Sequence, residues 1–511
     1  MKDLKFHDLL AQACMENYLL ESFSEEDFIN LGLPLSTYPC ITQGLPRDLD
    51  FKSPGFLQLK SGFNDIKVLK RCILDKPLLH LYNKAIVPNK QLILIITYVV
   101  PGGFGDFFAQ RHLKKILKNH FSNLEIHSLI FMESTYCTKI DALSDESILS
   151  FDAIDACHPQ YFDSATKKLL ETAALIFEIP TQFPFQKELE DLCLLKDHYV
   201  SIGEYGFIQS QSYLPATSKR CLGLHYLEYG LFIDSLETLP LTKLHNPDIT
   251  HFLQNKTFNN QNTSIHNFYF CYLATDYGSF VYFYLVIYLA LHQKKSLDLI
   301  CVDIGPFLKI IEKDLDHLKN LPIASIEIFY KNHKSLLQFS KDGIDIRIYH
   351  TGIINHHDFQ ILLANSQEPI GIRGNLSFSE AISLEKVFFY DPLTHNYPLY
   401  YELLSLANLQ DKDVFCWVQL FKQGQDPHQA ASQGAKLFQT PDFTKKFALL
   451  CAFIKQRLKT DEHMINIVYK ALHQQSRPDI KKKEQILSAL FIEKKLSFTQ
   501  LIQLLRQEIS S

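Results

Sequence analysis

Apolar residues in this chain fall into short continuous runs, and stretches of helical period separate them. The first clear run, LILIITYVV from Leu92 to Val100, is built of β-branched and aliphatic residues, the mark of a strand covered on both faces in a parallel sheet. The glycine turn PGGFGD follows at once. Beyond it, Phe108, Leu113, Ile116, Leu117 and Phe121 recur at helical spacing, and LEIHSLIFME then predicts a second strand. Strand, turn, helix and strand make a βαβ unit, which winds right-handed into a parallel sheet. AALIFEIP, HYVSIGEYGF and LHYLEYGLFID predict further strands of the same domain up to about Thr250. The Asn-rich stretch HNPDITHFLQNKTFNNQNTSIHN reads as a linker.

A second α/β domain then begins, with strands predicted at FYFCYLA, LDLICVDI, IASIEIFY, IDIRIYH, EPIGIRG and KVFFYDP. Alternation of strands and helices again argues for a parallel sheet covered on both faces. From Asp411 onward only helical patterns remain, and they are expected to cap the second domain. The expected organisation is therefore an amino-terminal extension at 1–90, doubly wound α/β domains at 91–265 and 266–410, and an α-helical tail at 411–511. Pro34, Pro39, Pro46, Pro54 and Pro77 break any long element in the extension. One segment, Phe268 to Leu291, is apolar enough to suggest a membrane span, but Asp276 and Gly278 interrupt it. The uninterrupted remainder is shorter than the roughly 20 residues a spanning helix needs. A strand ending near Ala274, a tight turn at Asp276-Tyr277-Gly278 and a buried helix to Leu291 are expected instead, with no stable membrane insertion.

Composition narrows the function classes. Fifty-one Lys and Arg against 56 Asp and Glu give a net charge of −5, so no overall basic field gathers nucleic acid, and none is expected as a partner. The 11 cysteines are odd in number, widely spaced and free of C-x-x-C, which suits reduced, buried thiols rather than disulfides or a zinc module. The first residues carry acids within their apolar stretch and do not read as a secretory signal. A cytoplasmic location is expected, and export by a route that reads no amino-terminal signal stays open. The acid-containing FDAIDACHPQYFD lacks a spacing that converges metal ligands and is read as a loop; His350, His356 and His357 are read as solvated loop histidines, and Lys481 to Lys483 as solvated surface. No metal site is expected.

Two glycine turns could carry chemistry. In the first, Gly103, Phe104, Gly105 and Asp106 lie between a buried strand and a helix start, where the backbone can approach an anion or a sugar. The competing reading of Asp106 is a first-turn acid that stabilises its own helix. In the second, a short strand ends at Arg373-Gly374 and a helix opens near Ser377. Its free N–H groups suit a diphosphate, and Arg373 offers a planar charged fork for phosphate oxygens. Glu380, one turn on, is placed to accept hydrogen bonds from ribose hydroxyls. Alternatively, Ser377 and Glu380 form a capping box, S-x-x-E. Glu204, bracketed by Gly203 and Gly206 at a strand end, is either an acceptor-side or sugar contact or an exposed acid in an ordinary turn.

The stretch from His350 to Pro392 resembles the donor-binding half of the GT-B glycosyltransferases, which pair two Rossmann-like domains across a cleft. It is most similar to the protein-arginine rhamnosyltransferases, through Asp358-Phe359, Leu362-Leu363, Arg373-Gly374 and Ser377-Phe378. VVPGGFGD resembles that family's glycine-Asp loop, and YFCYLA the strand opening its second domain. The resemblance implies a nucleotide-diphosphate sugar held mainly by the second domain and an acceptor, expected to be a protein side chain, entering over the first. It implies diphosphate contacts for Arg373, Asn375 and Ser377, with Phe378 and the loop Thr351-Gly352-Ile353 near the base. Asp106 becomes the catalytic acid facing the acceptor. The implied reaction is inverting, needs no metal, and uses no cofactor beyond the nucleotide-sugar co-substrate. Pro101-Gly102 stand where the family has an aspartate, and Asn375 where it has an acid. Two other readings therefore remain: a nucleotide-sugar epimerase or hydrolase, and a non-catalytic interaction protein that keeps the fold.

Overall fold

The computed structural model describes residues 75, 78–79, 81–83, 85–99, 105–132, 152–155, 164–179, 198–203, 219–224, 229–234, 236, 238–254, 268–330, 333–340, 342–393, 396–493, 495–496 and 498–510. They divide into two compact units. The first holds the described residues up to 132, those of 152–232, and 456 onward; the second holds those of 233–455.

The first unit opens with β1 (Leu92–Tyr98), α1 (Gly105–His120) and β2 (Glu125–Met132), continues through β3 (Asp152–Asp155), α2 (Ser164–Thr172) and β4 (Leu175–Glu178), and adds β5 (Tyr199–Gly203) and β6 (Lys219–Cys221). The strands form one parallel sheet in the order β3-β2-β1-β4-β5-β6. Chain direction across the sheet reverses between β1 and β4, which makes the fold doubly wound. Ile93 to Ile96 in β1 are fully buried, as an unbroken apolar run in a two-sided sheet requires.

The second unit follows the same logic around a longer sheet. After a 3-10 turn at Leu241–Lys243 come α3 (Pro247–Gln254), β7 (Phe268–Cys271), α4 (Asp276–Gln293), β8 (Leu297–Cys301), α5 (Gly305–Lys313) and α6 (Leu315–Asn320). Then come β9 (Ile323–Tyr330), β10 (His333–Gln338), β11 (Ile344–His350), α7 (His356–Asn365), β12 (Ile370–Ile372), α8 (Asn375–Ser383) and β13 (Phe388–Tyr390). The order is β10-β9-β11-β8-β7-β12-β13. Every pairing is parallel except that of the edge strand β10 with β9. The unit closes with α9 (Tyr397–Gln410), α10 (Lys412–Gln419), α11 (Pro427–Phe438) and α12 (Phe443–Arg457).

The doubly wound α/β architecture expected for both units is present. Several local expectations are corrected. The apolar segment after β7 has no tight turn at Asp276-Tyr277-Gly278: α4 begins at Asp276, with Thr275 as its N-cap accepting from the Gly278 N–H at 2.8 Å. Gly278 is required by space, because a Cβ there would run into the carboxylate of Asp391. α4 is buried on nearly every side, so its uniform apolarity serves the core. No helix among the described residues is long and apolar enough to cross a membrane. Residues 152–155, read as part of a loop, form β3. LHYLEYGLFID contributes no strand among its described residues; Leu231 instead bridges Lys459. The antiparallel β10 was missed because its polar, exposed sequence lacks the apolar run of a buried strand.

The helical tail does not cap one domain. α9 to α12 pack within the second unit, where the Trp417 indole of α10 donates to the Phe388 carbonyl of β13 at 2.8 Å. α13 (Asp461–Ser476), α14 (Pro478–Ile492) and α15 (Phe498–Ser510) belong to the first unit. Tyr469 of α13 meets His120 at the end of α1 at 3.0 Å, and Leu501, Ile502 and Leu505 of α15 bury Leu78. Asp75 takes a bidentate bond from Arg220 and the charge of Lys470, which also pairs with Glu484 of α14 at 2.8 Å. Burial by itself raises the Asp75 carboxyl, yet Arg220 and Lys470 hold it below its ordinary value.

Candidate functional site

In a doubly wound sheet, ligands bind beyond the carboxyl ends of the strands where chain direction reverses. In the second unit that point lies between β7 and β12, whose following connections run to opposite sides of the sheet. Two helices, α4 and α8, start from these adjacent strand ends and bring their N–H groups to the same edge. Helix N-termini attract anions through those unpaired donors and through the helix dipole.

The two are treated differently. At α4, Asp391, which follows β13, closes the approach: its Oδ2 accepts from the Ala274 and Thr275 N–H groups, each at 2.8 Å, and its Oδ1 accepts from the Thr275 hydroxyl at 2.6 Å. Asp391 is 1% exposed. Burial raises its carboxyl above the usual value, while the bonds from Thr275 and Ala274 and the charge of Arg373 pull the other way. At α8, no side chain caps the helix. Gly374 is the N-cap with φ of 74°, and a Cβ built on it meets nothing within 4 Å. The backbone here takes a left-handed conformation suited to glycine, and the space before the helix is open.

Arg373 joins the two strand ends. Its Nη2 donates to the Tyr272 hydroxyl at 3.0 Å, and its guanidinium lies 4.2 Å from the centre of the Tyr272 ring. Asn375, the first residue of α8, accepts from Asn396 Nδ2 at 2.6 Å, and Asn396 also donates to the Tyr390 hydroxyl. The Ser377 hydroxyl turns back to donate to the Arg373 carbonyl. Ser377 and Glu380 therefore do not form the capping box that their spacing allows. Glu380, 4% exposed, accepts at Oε1 from Gln360 at 2.8 Å and meets His356 Nε2 at 2.7 Å; its buried Oε2 has no partner among the described residues.

Phe378 is corrected. It is fully buried, edge-on to Phe388 and Tyr390, so its ring supports α8 from the core and offers no face to a base. Ile353 is 76% exposed on the loop after β11, beside Gly352 with φ of 65°. In the first unit, Gly105 and Asp106 form the start of α1, at the sheet's own reversal point after β1, and Asp106 is buried in the first turn. Gly103, Phe104 and Glu204 lie outside the described residues.

Sequence reasoning missed Asp391, Tyr272, Asn396 and the role of His356. Asp391 reaches Thr275 across 116 residues, and only the fold brings them together. His356 is no loop histidine: it opens α7 and meets a buried carboxylate, and an acid three residues into a helical pattern beyond Asn355 was the available signal.

No family model and no characterised protein sequence matches the chain. Solved structures resemble it in outline. An alpha-glucosyltransferase in complex with UDP and a 13-mer DNA is 10% identical over 73% of this chain and 96% of its own, with a TM-score of 0.37. MurG of Acinetobacter baumannii is 11% identical over 75% and 99%, at 0.38. The spinosyn rhamnosyltransferase SpnG is 9% identical over 73% and 98%, at 0.33. Likeness at this distance carries no argument about chemistry, and the reading below rests on this chain's own residues.

Proposed function

We propose that the protein is a GT-B glycosyltransferase that moves a sugar from a nucleotide-diphosphate sugar to an acceptor, a protein side chain. The observation that carries this reading is the contrast at the reversal point between β7 and β12. One helix N-terminus is closed by the chain's own Asp391, and its neighbour behind Gly374 is open beside an arginine.

In this reading the diphosphate sits on the first N–H groups of α8, offered by Asn375, Leu376 and Ser377, with Arg373 as its cation. Negative charge builds on that diphosphate as the glycosidic bond breaks, and fixed donors already aimed at it stabilise the transition state most. They do the work a metal ion does elsewhere, so transfer needs none. The buried Oε2 of Glu380 is an acceptor that a ribose hydroxyl would satisfy. Ile353 supplies exposed apolar surface for the base. Asp106 deprotonates the acceptor nucleophile, and attack opposite the leaving diphosphate inverts the sugar carbon.

The test begins with a thermal-shift screen of nucleotides and nucleotide-sugars on wild type and Arg373→Ala. A ligand at about 100 times its Kd stabilises the fold by about 2.7 kcal/mol. One nucleotide-sugar should raise the wild-type midpoint and not the variant's. With that donor, Asp106→Asn should keep binding and lose transfer. Silence of the whole panel on wild type, or unchanged turnover in Asp106→Asn, overturns the reading; free sugar or an epimer formed without acceptor replaces it with a hydrolase or epimerase.

A further inference from the structure

Away from the α8 terminus, the second unit gathers two histidines and a buried acid. The turn after Leu241–Lys243 and the first turn of α7 meet at Asp358, which is fully buried. Its Oδ1 accepts from the His245 N–H at 2.8 Å and its Oδ2 from the Asn246 N–H at 2.9 Å. Each carboxylate oxygen has two acceptor sites; Oδ2 also accepts from Asn355 Nδ2 at 3.4 Å, so Oδ1 is the oxygen that keeps capacity for a ligand. The imidazoles of His245 and His357 stack beside it, with centroids 4.6 Å apart and planes 21° from parallel. One ligand-capable atom from each of His245, His357 and Asp358 lies within 4.8 Å of the other two.

We propose that His245, His357 and Asp358 bind a divalent first-row cation, with zinc as the representative ion, in a site of three protein ligands and one open position. Two imidazoles and one carboxylate form a donor set suited to zinc or its neighbours rather than to calcium or magnesium, which take oxygen ligands. The farthest pair of donors must close by roughly 1 Å to reach tetrahedral separations around bonds of about 2.0–2.2 Å. Ligation turns the His245 ring out of its stack on His357, so that an in-plane nitrogen of each ring faces the ion, while the bonds from the His245 and Asn246 N–H groups already fix Asp358. His357 Nε2 lies 3.3 Å from the Lys243 carbonyl. In the tautomer that donates there, Nδ1 is left as the metal donor, the arrangement by which an outer hydrogen bond orients a ligating histidine. The ion clips the 241–246 turn to α7 and takes no part in sugar transfer, so the proposal stands independently of the reaction.

The experiment uses the full chain, stripped with a chelator and titrated with zinc in competition with a metallochromic indicator. One ion per chain is expected. His245→Ala and His357→Ala should each weaken binding by about tenfold or more, a loss on the scale that even outer-shell changes produce. Cobalt in place of zinc should give ligand-field bands without thiolate charge transfer. Absent binding, wild-type affinity in both variants, or a thiolate signature from the chain's cysteines overturns the site. Thermal midpoints of the metal-free variants equal to that of the metal-free wild type separate ligand loss from misfolding.

Discussion

Removing the carboxylate of Asp391 tests whether α4 is closed by the chain itself. Asp391→Ala strips the acceptor from two backbone N–H groups and one hydroxyl, all bonded at 2.6–2.8 Å around a side chain that is 1% exposed. An unsatisfied buried donor costs roughly 1–3 kcal/mol. Three of them, partly relieved by water entering the gap, should cost the second unit about 3–5 kcal/mol. The chain has a single tryptophan, and Trp417 is fully buried in that unit and bonded to Phe388, three residues from Asp391. Its fluorescence therefore reports the right transition. With a urea slope of about 2–3 kcal/mol per molar for a unit of this size, the midpoint should fall by roughly 1–2 M. Because burial raises the Asp391 carboxyl, the folded unit holds its proton more tightly than the unfolded chain does. That stability is present at low pH and lost as pH rises through the folded value, so the gap between wild type and variant should widen on acidification toward 4. Gly278→Ala, which in wild type collides with the same carboxylate, should cost less in the Asp391→Ala background. A variant midpoint within experimental error of wild type would refute the account of this terminus.

Three further outcomes follow from buried groups. Lys386 donates to the Leu363 and Ser366 carbonyls, and burial brings its amine down to about 8 against the opposing charge of Glu368. Between pH 8 and 10.5 the unfolded chain binds more proton, so the Trp417 transition should strengthen with pH across that window, and Lys386→Met should flatten the rise. Asp75→Asn leaves Arg220 and Lys470 without their shared acid and should cost the first unit about 3–5 kcal/mol, read by tyrosine near-UV dichroism. Its contribution in wild type should persist at neutral pH and disappear as pH falls below about 4, since the folded value is depressed. Phe378→Ala should lower the Trp417 transition by about 3–5 kcal/mol while nucleotide binding to the folded protein stays within about twofold; a selective loss of nucleotide affinity would restore the base contact denied to this ring.

The sheets were legible because a parallel strand buried on both faces must be written as an apolar run. LILIITYVV and FYFCYLA carry that signature, and they became β1 and β7. β10 carries none, because an exposed antiparallel edge pairs through its backbone and leaves its side chains to solvent. The Arg373-Gly374 turn was equally visible, since a short strand, a glycine and a helical pattern lie contiguous in sequence. Contacts distant in the chain were not. Asp391 on Thr275, Asn396 on Asn375 and His356 on Glu380 each join separate elements, and no local period encodes such a meeting. The split of the helical tail belongs to the same class: α12 and α13 read alike in sequence, yet the Tyr469 ring of α13 finds its partners in His120 and Phe121 of the first unit.

Spacing alone allowed two outcomes at α8, a self-capped helix or an open one, and local chemistry decides between them. A capping side chain and a bound anion compete for the same N–H groups, so a helix that serves a ligand must keep its own polar residues away from them. Ser377 and Glu380 are the residue types that cap helices, and both are engaged elsewhere. Ser377 is bonded back to the Arg373 carbonyl, while Glu380 is held by His356 and Gln360 of α7. Gly374 cannot cap with a side chain at all. One strand away, the same problem is solved in the opposite sense: Thr275 caps α4 at the Gly278 N–H, and Asp391, from the end of β13, accepts from the Ala274 and Thr275 N–H groups at the helix entrance. A fold needing only stability would gain from capping both ends, each cap contributing about 1 kcal/mol. Leaving the α8 terminus open beside Arg373, with its capping residues diverted, is the arrangement expected of a helix whose acceptor arrives from outside.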